Sequence, residues 1–285
     1  MSTNNMSNES KKELSLVPDA NLSPFDVAPV EGQFWGSDNS NPYAESVEVP
    51  RRVMVLFFVI DTSGSMRGDK IGAVNTAIEE VIPTIKKISN DNADAEIKVA
   101  ILQFDNNASW ITPIPTKPDD LLWNDIKANG LTALGAACRE LNQKLSRSEF
   151  MNDVVGSYAP VIIMMSDGAP TDEYGKELDN LKMNNWFNAA EKVAIAIGDD
   201  AKKDVLAEFT GNIERVITVH TPEELEKWIK FVSVTASKIG SQSSSAGQSK
   251  GSEITEAINN GPDSTPVAEL PSGGSSQTPD GTFWG

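Results

Sequence analysis

The chain has 285 residues, a formal net charge of −17 and a single cysteine. Because no basic stripe accompanies this acidity, the composition excludes binding to nucleic-acid backbones and to anionic membranes as a main function. One cysteine forms no disulfide within the chain, which fits a reducing compartment. The first residues lack the apolar stretch of a signal peptide, and no run of about 18 apolar residues suggests a membrane span. We therefore expect a cytoplasmic protein.

Composition divides the chain into three parts. Residues 1–49 and 240–285 are rich in Ser, Asn, Gly and Pro and have little periodic apolar content. They carry net charges of −6 (8 acidic, 2 basic) and −4 (5 acidic, 1 basic), which leaves −7 for residues 50–239. Because such segments bury too little apolar surface to fold alone, we predict a flexible acidic N-terminal tail over 1–49 and a flexible Ser/Gly-rich C-terminal tail over 240–285. One folded domain is predicted over 50–239.

Apolar strands alternate with helical patterns through this domain. Buried strands are predicted at 53–60, 96–104, 160–165, 192–197 and 216–219. Helices are predicted at 70–89, 131–145, 176–190, 202–209 and 223–237. A short strand at 108–112 is expected to pair with 96–104 as a hairpin, and beyond residue 252 only a transient helical turn is expected. The alternation predicts an α/β, Rossmann-like fold, with a mostly parallel central sheet, one antiparallel edge strand and helices on both faces.

Polar side chains follow two of the most apolar strands. Asp61, Ser63 and Ser65 come directly after VMVLFFVI, and Asp167 follows PVIIMM with one serine between. Because ligands of open α/β sheets bind at the carboxyl ends of the strands, both carboxylates are expected at the same edge. Thr132 lies in the loop that enters the helix at 133, near Gly130, where its hydroxyl can point back to that edge. Two carboxylates and three hydroxyls without His or Cys predict a hard divalent cation such as Mg²⁺; the alternative is an ordinary turn whose Ser and Asp cap the next helix.

The strings DTSGSM, GLTALGAA and MSDGAPTD, in this order and spacing, resemble the three loops of the von Willebrand factor A (vWA) domain. In that family they form the metal-ion-dependent adhesion site (MIDAS), with the pattern DxSxS…T…D, and all five positions match here. The resemblance covers about residues 53–237 and implies the vWA form of the Rossmann-like fold.

The resemblance implies binding rather than catalysis. Ser63 and Ser65 would ligate Mg²⁺ (or Mn²⁺ or Ca²⁺) directly, and Thr132 directly or through water. Asp61 and Asp167 would act partly through water, and an open position would accept an Asp or Glu of a partner protein. The segments 195–212 and 219–237 resemble the bacterial cytoplasmic branch typified by TerY, the tellurium-resistance protein, which implies a stress response and kinase or phosphatase partners.

A G-x-F-W-G pentapeptide occurs twice, at 32–36 and at 281–285. Phe and Trp are costly to leave in water and anchor well in pockets, so both copies are predicted to be short docking motifs. The residues predicted to contact a partner are Phe34, Trp35, Gly36, Phe283, Trp284 and Gly285. Their groove lies either on this protein, which would give a homo-oligomer, or on another protein, and chance repetition is the alternative.

Two further polar positions have structural interpretations. Cys138 lies inside an apolar-faced helical pattern and is predicted to be a small core residue rather than a catalytic thiol. Asp172 is predicted to cap the helix or turn that follows it.

Three functions are compatible with these features. The favoured one is a non-enzymatic adaptor or scaffold that grips a partner's acidic residue through the metal, with the FWG motifs as additional docking elements. The second is a structural protein that self-assembles through the FWG motifs. The third is Mg²⁺-dependent phosphoryl transfer; the absence of a P-loop lysine motif and the remoteness of the single histidine in sequence weigh against it.

Overall fold

The computed structural model describes residues 50–242 and 249–263. The two FWG motifs predicted to bind a partner, Phe34–Gly36 and Phe283–Gly285, lie outside the described residues.

The described part of the chain contains six strands, seven α-helices and two single 3-10 turns. The strands are β1 (Arg52–Asp61), β2 (Ala95–Phe104), β3 (Ala108–Trp110), β4 (Val161–Ser166), β5 (Glu191–Ile197) and β6 (Val216–Val219). The helices are α1 (Asp69–Asp91), α2 (Leu134–Lys144), α3 (Tyr174–Lys182), α4 (Asn185–Ala189), α5 (Lys203–Thr210), α6 (Pro222–Gly240) and α7 (Lys250–Asn260).

The strands form one sheet in the order β3-β2-β1-β4-β5-β6. All pairs are parallel except β2 with β3, which are antiparallel at one edge. This arrangement confirms the predicted α/β, Rossmann-like fold with its antiparallel edge strand. The chain leaves β1 toward β2 on one side, whereas β4 pairs with β1 on the other, so the loops after β1 and β4 meet where the strand order reverses.

The side chains of β1 alternate between two apolar layers. Met54 and Phe58 face the layer that contains residues of α1, α6 and α7, and Val55 and Phe57 face the layer that contains residues of α2, α3 and α5. Nearly every residue of β1 is buried. A strand covered on both faces is apolar throughout, which is why it reads as a continuous hydrophobic run.

Two predicted helix boundaries differ from the structure for identifiable reasons. The helix predicted at 131–145 begins only at Leu134, because the backbone of Ala133 is not helical (φ −86°, ψ 73°) and its N–H donates to the Asp105 carbonyl of another loop. The helix predicted at 176–190 is two helices, α3 and α4. The break occurs at Asn184, whose side-chain oxygen accepts from the N–H of Trp186 and so caps a new helix.

The predicted C-terminal tail differs at residues 250–260. Where only a transient turn was expected, the structure has helix α7, and Ile254 and Ile258 pack into the apolar layer shared with α1 and α6. The two isoleucines are four residues apart and therefore lie on one helix face. Within the described residues, no helix has both the length and the apolar character that crossing a membrane requires.

Candidate metal site

The loop after β1 is folded around the carboxylate of Asp61. One carboxylate oxygen, Oδ1, accepts a hydrogen bond from the Ser63 backbone N–H at 2.8 Å. A single 3-10 turn over Gly64–Met66 then brings the Ser65 hydroxyl to 3.0 Å from the Ser63 hydroxyl. The loop after β1 therefore brings one carboxylate and two hydroxyls close together.

The loop after β4 closes onto this group from the neighbouring strand. The Ser65 hydroxyl donates to Asp167 Oδ1 at 2.7 Å, across 102 residues of sequence. The other Asp61 oxygen, Oδ2, accepts from the Ser166 hydroxyl at 2.6 Å. Both predicted carboxylates and both predicted serines thus belong to one hydrogen-bonded group, in which Ser166 also takes part.

Thr132 lies near the same group, beside Gly168, the glycine that follows Asp167. A Cβ on Gly168 would lie 3.6 Å from both the Ser65 and the Thr132 hydroxyl oxygens, so these two oxygens are within twice that distance of each other. The loop that leads to Thr132 packs against the loop after β1, because the Gly64 N–H donates to the Gly130 carbonyl at 3.0 Å. The structure therefore brings all five predicted residues together.

Thr132 is also held from the third loop. Its backbone N–H donates to the Thr171 hydroxyl at 3.0 Å, and its carbonyl accepts from the Thr171 N–H at 2.9 Å. Asp172 accepts from the N–H groups of Gly135 and Ala136 at 3.1 and 3.2 Å. The prediction that Asp172 caps the helix or turn after it was wrong: its carboxylate caps the N-terminus of α2, which precedes it in sequence.

The site is buried except on the side of Ser65. The side chains of Asp61, Ser63 and Asp167 are almost fully buried, whereas Ser65 is exposed. Burial raises the pKa of Asp61 to about 6, and the hydrogen bonds from the Ser166 and Ser63 hydroxyls and the Ser63 N–H only partly oppose this increase. The ionised Asp61 carboxylate is therefore short of favourable interactions that a cation in the group would supply.

Lys70, in the first turn of α1, is a second residue of the site, after Ser166, that the sequence analysis missed. Its ammonium nitrogen lies 2.8 Å from Asp167 Oδ2. The available signal was its place five residues after Ser65, at the start of the helix that leaves the carboxyl edge of the sheet. No local sequence pattern indicates that this lysine contacts a carboxylate 97 residues away.

The donor set fits a hard divalent cation. Carboxylate and hydroxyl oxygens are the ligands that Mg²⁺ and Ca²⁺ take in proteins, often with waters completing the shell. Among the described residues, no group of three or more His, Cys, Asp or Glu side chains is arranged to hold a metal. Here two carboxylates are combined with three hydroxyls.

A family model for the von Willebrand factor type A domain matches residues 56–230, which is more than half of the chain. The chain belongs to this family. The matched range begins within β1 and ends within α6, so it includes all five positions of the MIDAS pattern. vWA domains commonly mediate protein interactions through a divalent metal at this site.

Several solved structures resemble this chain at low sequence identity. A von Willebrand factor type A protein from Catenulispora acidiphila is 16% identical over 66% of this chain and 43% of its own, with a TM-score of 0.51. Proximal thread matrix protein 1 from the mussel byssus, with a zinc-occupied MIDAS motif, is 17% identical over 65% and 48%, with a TM-score of 0.49. The PilB minor pilin from Streptococcus sanguinis is 13% identical over 67% and 63%, also at 0.49.

These likenesses concern the fold. This chain covers between 43% and 49% of the length of the Catenulispora and mussel proteins. A comparison with curated proteins found no match.

Proposed function

We propose that this vWA domain is a non-enzymatic adaptor that grips an Asp or Glu side chain of a partner protein through a bound divalent metal. The observation that carries the proposal is the hydrogen-bonded group of Asp61, Ser63, Ser65 and Asp167, which is buried except at Ser65. Such a group holds oxygen ligands in place before any ion arrives and leaves solvent access on one side only.

Five residues would hold the ion: Asp61, Ser63, Ser65, Thr132 and Asp167. Mg²⁺ is the proposed metal, with Mn²⁺ and Ca²⁺ as alternatives, because all five ligands are hard oxygens. The bound ion would supply a positive centre for a carboxylate at the exposed side of the site.

Metal titration of purified protein tests the site directly. We expect Ser63→Ala and Asp167→Asn to weaken Mg²⁺ binding, measured by calorimetry, by about tenfold or more, because each removes a ligand or its orienting group. The matched control is Asp69→Asn, an exposed carboxylate four residues after Ser65. Unchanged binding in both site variants would contradict the assignment.

Capture from lysate tests the adaptor role. Partners should be retained with Mg²⁺ and lost with EDTA, and Asp61→Ala should cause the same loss.

The resemblance of residues 195–212 and 219–237 to the TerY branch supports a cytoplasmic role in a bacterial stress-response or phosphosignalling system, with kinase or phosphatase partners. Phosphatase activity of the purified protein that depends on Mg²⁺ would instead favour an enzyme.

The repeated G-x-F-W-G pentapeptide favours a second role, docking or self-assembly through residues 34–36 and 283–285. Light scattering of the full chain should show a larger species than the variant in which Phe34, Trp35, Phe283 and Trp284 are all alanine. Alanine at Gln277 and Thr278, in the same C-terminal segment, is the matched control. Identical masses for all three proteins would exclude self-assembly through these motifs.

A further inference from the structure

Helix α1 places a lysine against the candidate metal site. Lys70 contacts Asp167 Oδ2, whereas Asp167 Oδ1 accepts the Ser65 hydrogen bond. The Asp167 side chain has no solvent exposure and that of Lys70 is 15% exposed, so water and salt screen this ion pair weakly. The carboxylate that belongs to the MIDAS pattern is therefore already neutralised by a residue outside the pattern.

The Lys70–Asp167 ion pair changes the net charge of the metal-bound site. Asp61 and Asp167 together carry two negative charges, which would cancel those of a divalent ion and leave no net attraction for an acidic ligand. Lys70 adds one positive charge, so that the site with its ion would be positive overall. Arg67 adds to this at the rim, where its guanidinium carbon is 4.0 Å from the Cβ position of Gly64.

We propose that Lys70 is a permanent positive charge of this site with two effects. It lowers the affinity of the site for the divalent ion, and it gives the metal-bound site the net positive charge that attracts a carboxylate. The inference rests on the proposed function and adds a residue outside the five-residue pattern to it. A unit charge within a few ångströms of a partly buried ion changes its affinity by about tenfold or more.

Calorimetry on the full-length, EDTA-treated protein tests the first half of this inference. Lys70→Met should bind Mg²⁺ about tenfold more tightly than the wild type, and Lys70→Arg should bind like the wild type. Lys70→Gln removes the charge but keeps an N–H donor toward Asp167, so it serves if the methionine variant does not fold. The matched control is Lys86→Met, which breaks an ion pair with Asp119 that is half-exposed on the same helix. Equal or weaker Mg²⁺ binding in the folded charge-removing variants would overturn the inference.

Acetate binding to Mn²⁺-loaded protein tests the second half. Water-proton relaxation reports the displacement of metal-bound water by acetate, and Lys70→Met or Lys70→Gln should bind acetate several-fold more weakly than Lys86→Met. Unchanged acetate affinity would overturn the role of Lys70 in attracting a carboxylate. A wild type that binds neither Mg²⁺ nor Mn²⁺ would refute the proposed function as well, whereas a metal-binding wild type with indifferent Lys70 variants would refute this inference alone.

Discussion

Asp172 connects two loops of the candidate site through a fit that depends on glycine. A Cβ on Gly135 would lie 2.8 Å from Asp172 Oδ2, so a larger residue would displace the carboxylate. Asp172 in turn accepts from N–H groups in the first turn of α2, and Thr132 lies two residues before that helix begins. The position of the Thr132 hydroxyl therefore depends on a carboxylate that is not one of the five predicted ligands.

Replacing Asp172 should weaken both the fold and the site. We expect Asp172→Ala to lower the free energy of unfolding by about 1–2 kcal/mol, because the capping hydrogen bonds of α2 are lost. Urea denaturation measures this change, and Asp179→Ala, at an exposed position in α3, is the control. Equal midpoints for the two variants would show that the cap contributes no stability.

Cys138 should be unreactive in the folded protein. Its thiol is fully buried in α2, and burial raises its pKa to about 12. At pH 8 only roughly one thiol in ten thousand would then be ionised, and the thiolate is the reactive form. We expect no modification by a disulfide-exchange reagent until denaturant is added. Rapid labelling of the native protein would contradict the prediction that Cys138 is a core residue.

Among the elements, α7 is attached to the domain by both apolar and polar contacts. Ile254 and Ile258 fill the apolar layer, and Arg215 joins the helix to the sheet by bonding Thr255 at 3.2 Å and Glu191 at 3.0 Å. Gly251 lies against Arg215, since a Cβ there would overlap the guanidinium group. These contacts indicate that α7 is part of the folded domain.

Truncation of one isoleucine tests this attachment. Ile254→Ala should reduce the free energy of unfolding by about 2–4 kcal/mol, because it removes a buried side chain and leaves a cavity. Glu256→Ala, on the exposed face of the same helix, should change it by less than about 0.5 kcal/mol. If both variants unfold at the same denaturant concentration, α7 contributes nothing to the stability of the domain.

At the scale of the whole molecule, the candidate site exists only when distant segments have folded together. Its residues come from the ends of β1 and β4 and from the loop before α2, and the Ser65–Asp167 hydrogen bond spans 102 residues. A metal held by these side chains would bind the native state and not the unfolded chain. Metal binding and global stability are therefore linked.

This linkage gives a prediction for heat denaturation. Mg²⁺ at about one hundred times its dissociation constant should stabilise the protein by about 2.7 kcal/mol relative to EDTA. The stabilisation should fall to about 1.4 kcal/mol or less in Ser63→Ala, whose affinity is expected to be about tenfold weaker or more, and be kept in Asp69→Asn, as calorimetric unfolding would show. A midpoint that does not respond to Mg²⁺ in the wild type would contradict metal binding at this site.

The sheet and the five candidate ligands could be predicted because their signals are local. A continuous apolar run such as 53–60 indicates a strand buried on both faces, and parallel strands carry whatever follows them to one edge. Asp61, Ser63, Ser65 and Asp167 follow such runs within five residues. Their predicted role as metal ligands stays a prediction, whereas their convergence is a feature of the structure.

Contacts between distant segments decided the rest. Lys70 was assigned to no role because a lysine at a helix start carries no local signal for a contact with a carboxylate 97 residues away. Asn184 divides a continuous helical pattern because its side chain also bonds the Leu145 carbonyl of another segment at 3.0 Å. The short apolar pattern of α7 is too weak to form a helix alone, and only the apolar surface that it covers makes it one. Local patterns therefore specify which elements form, while hydrogen bonds and burial between elements decide where helices end and which charges meet.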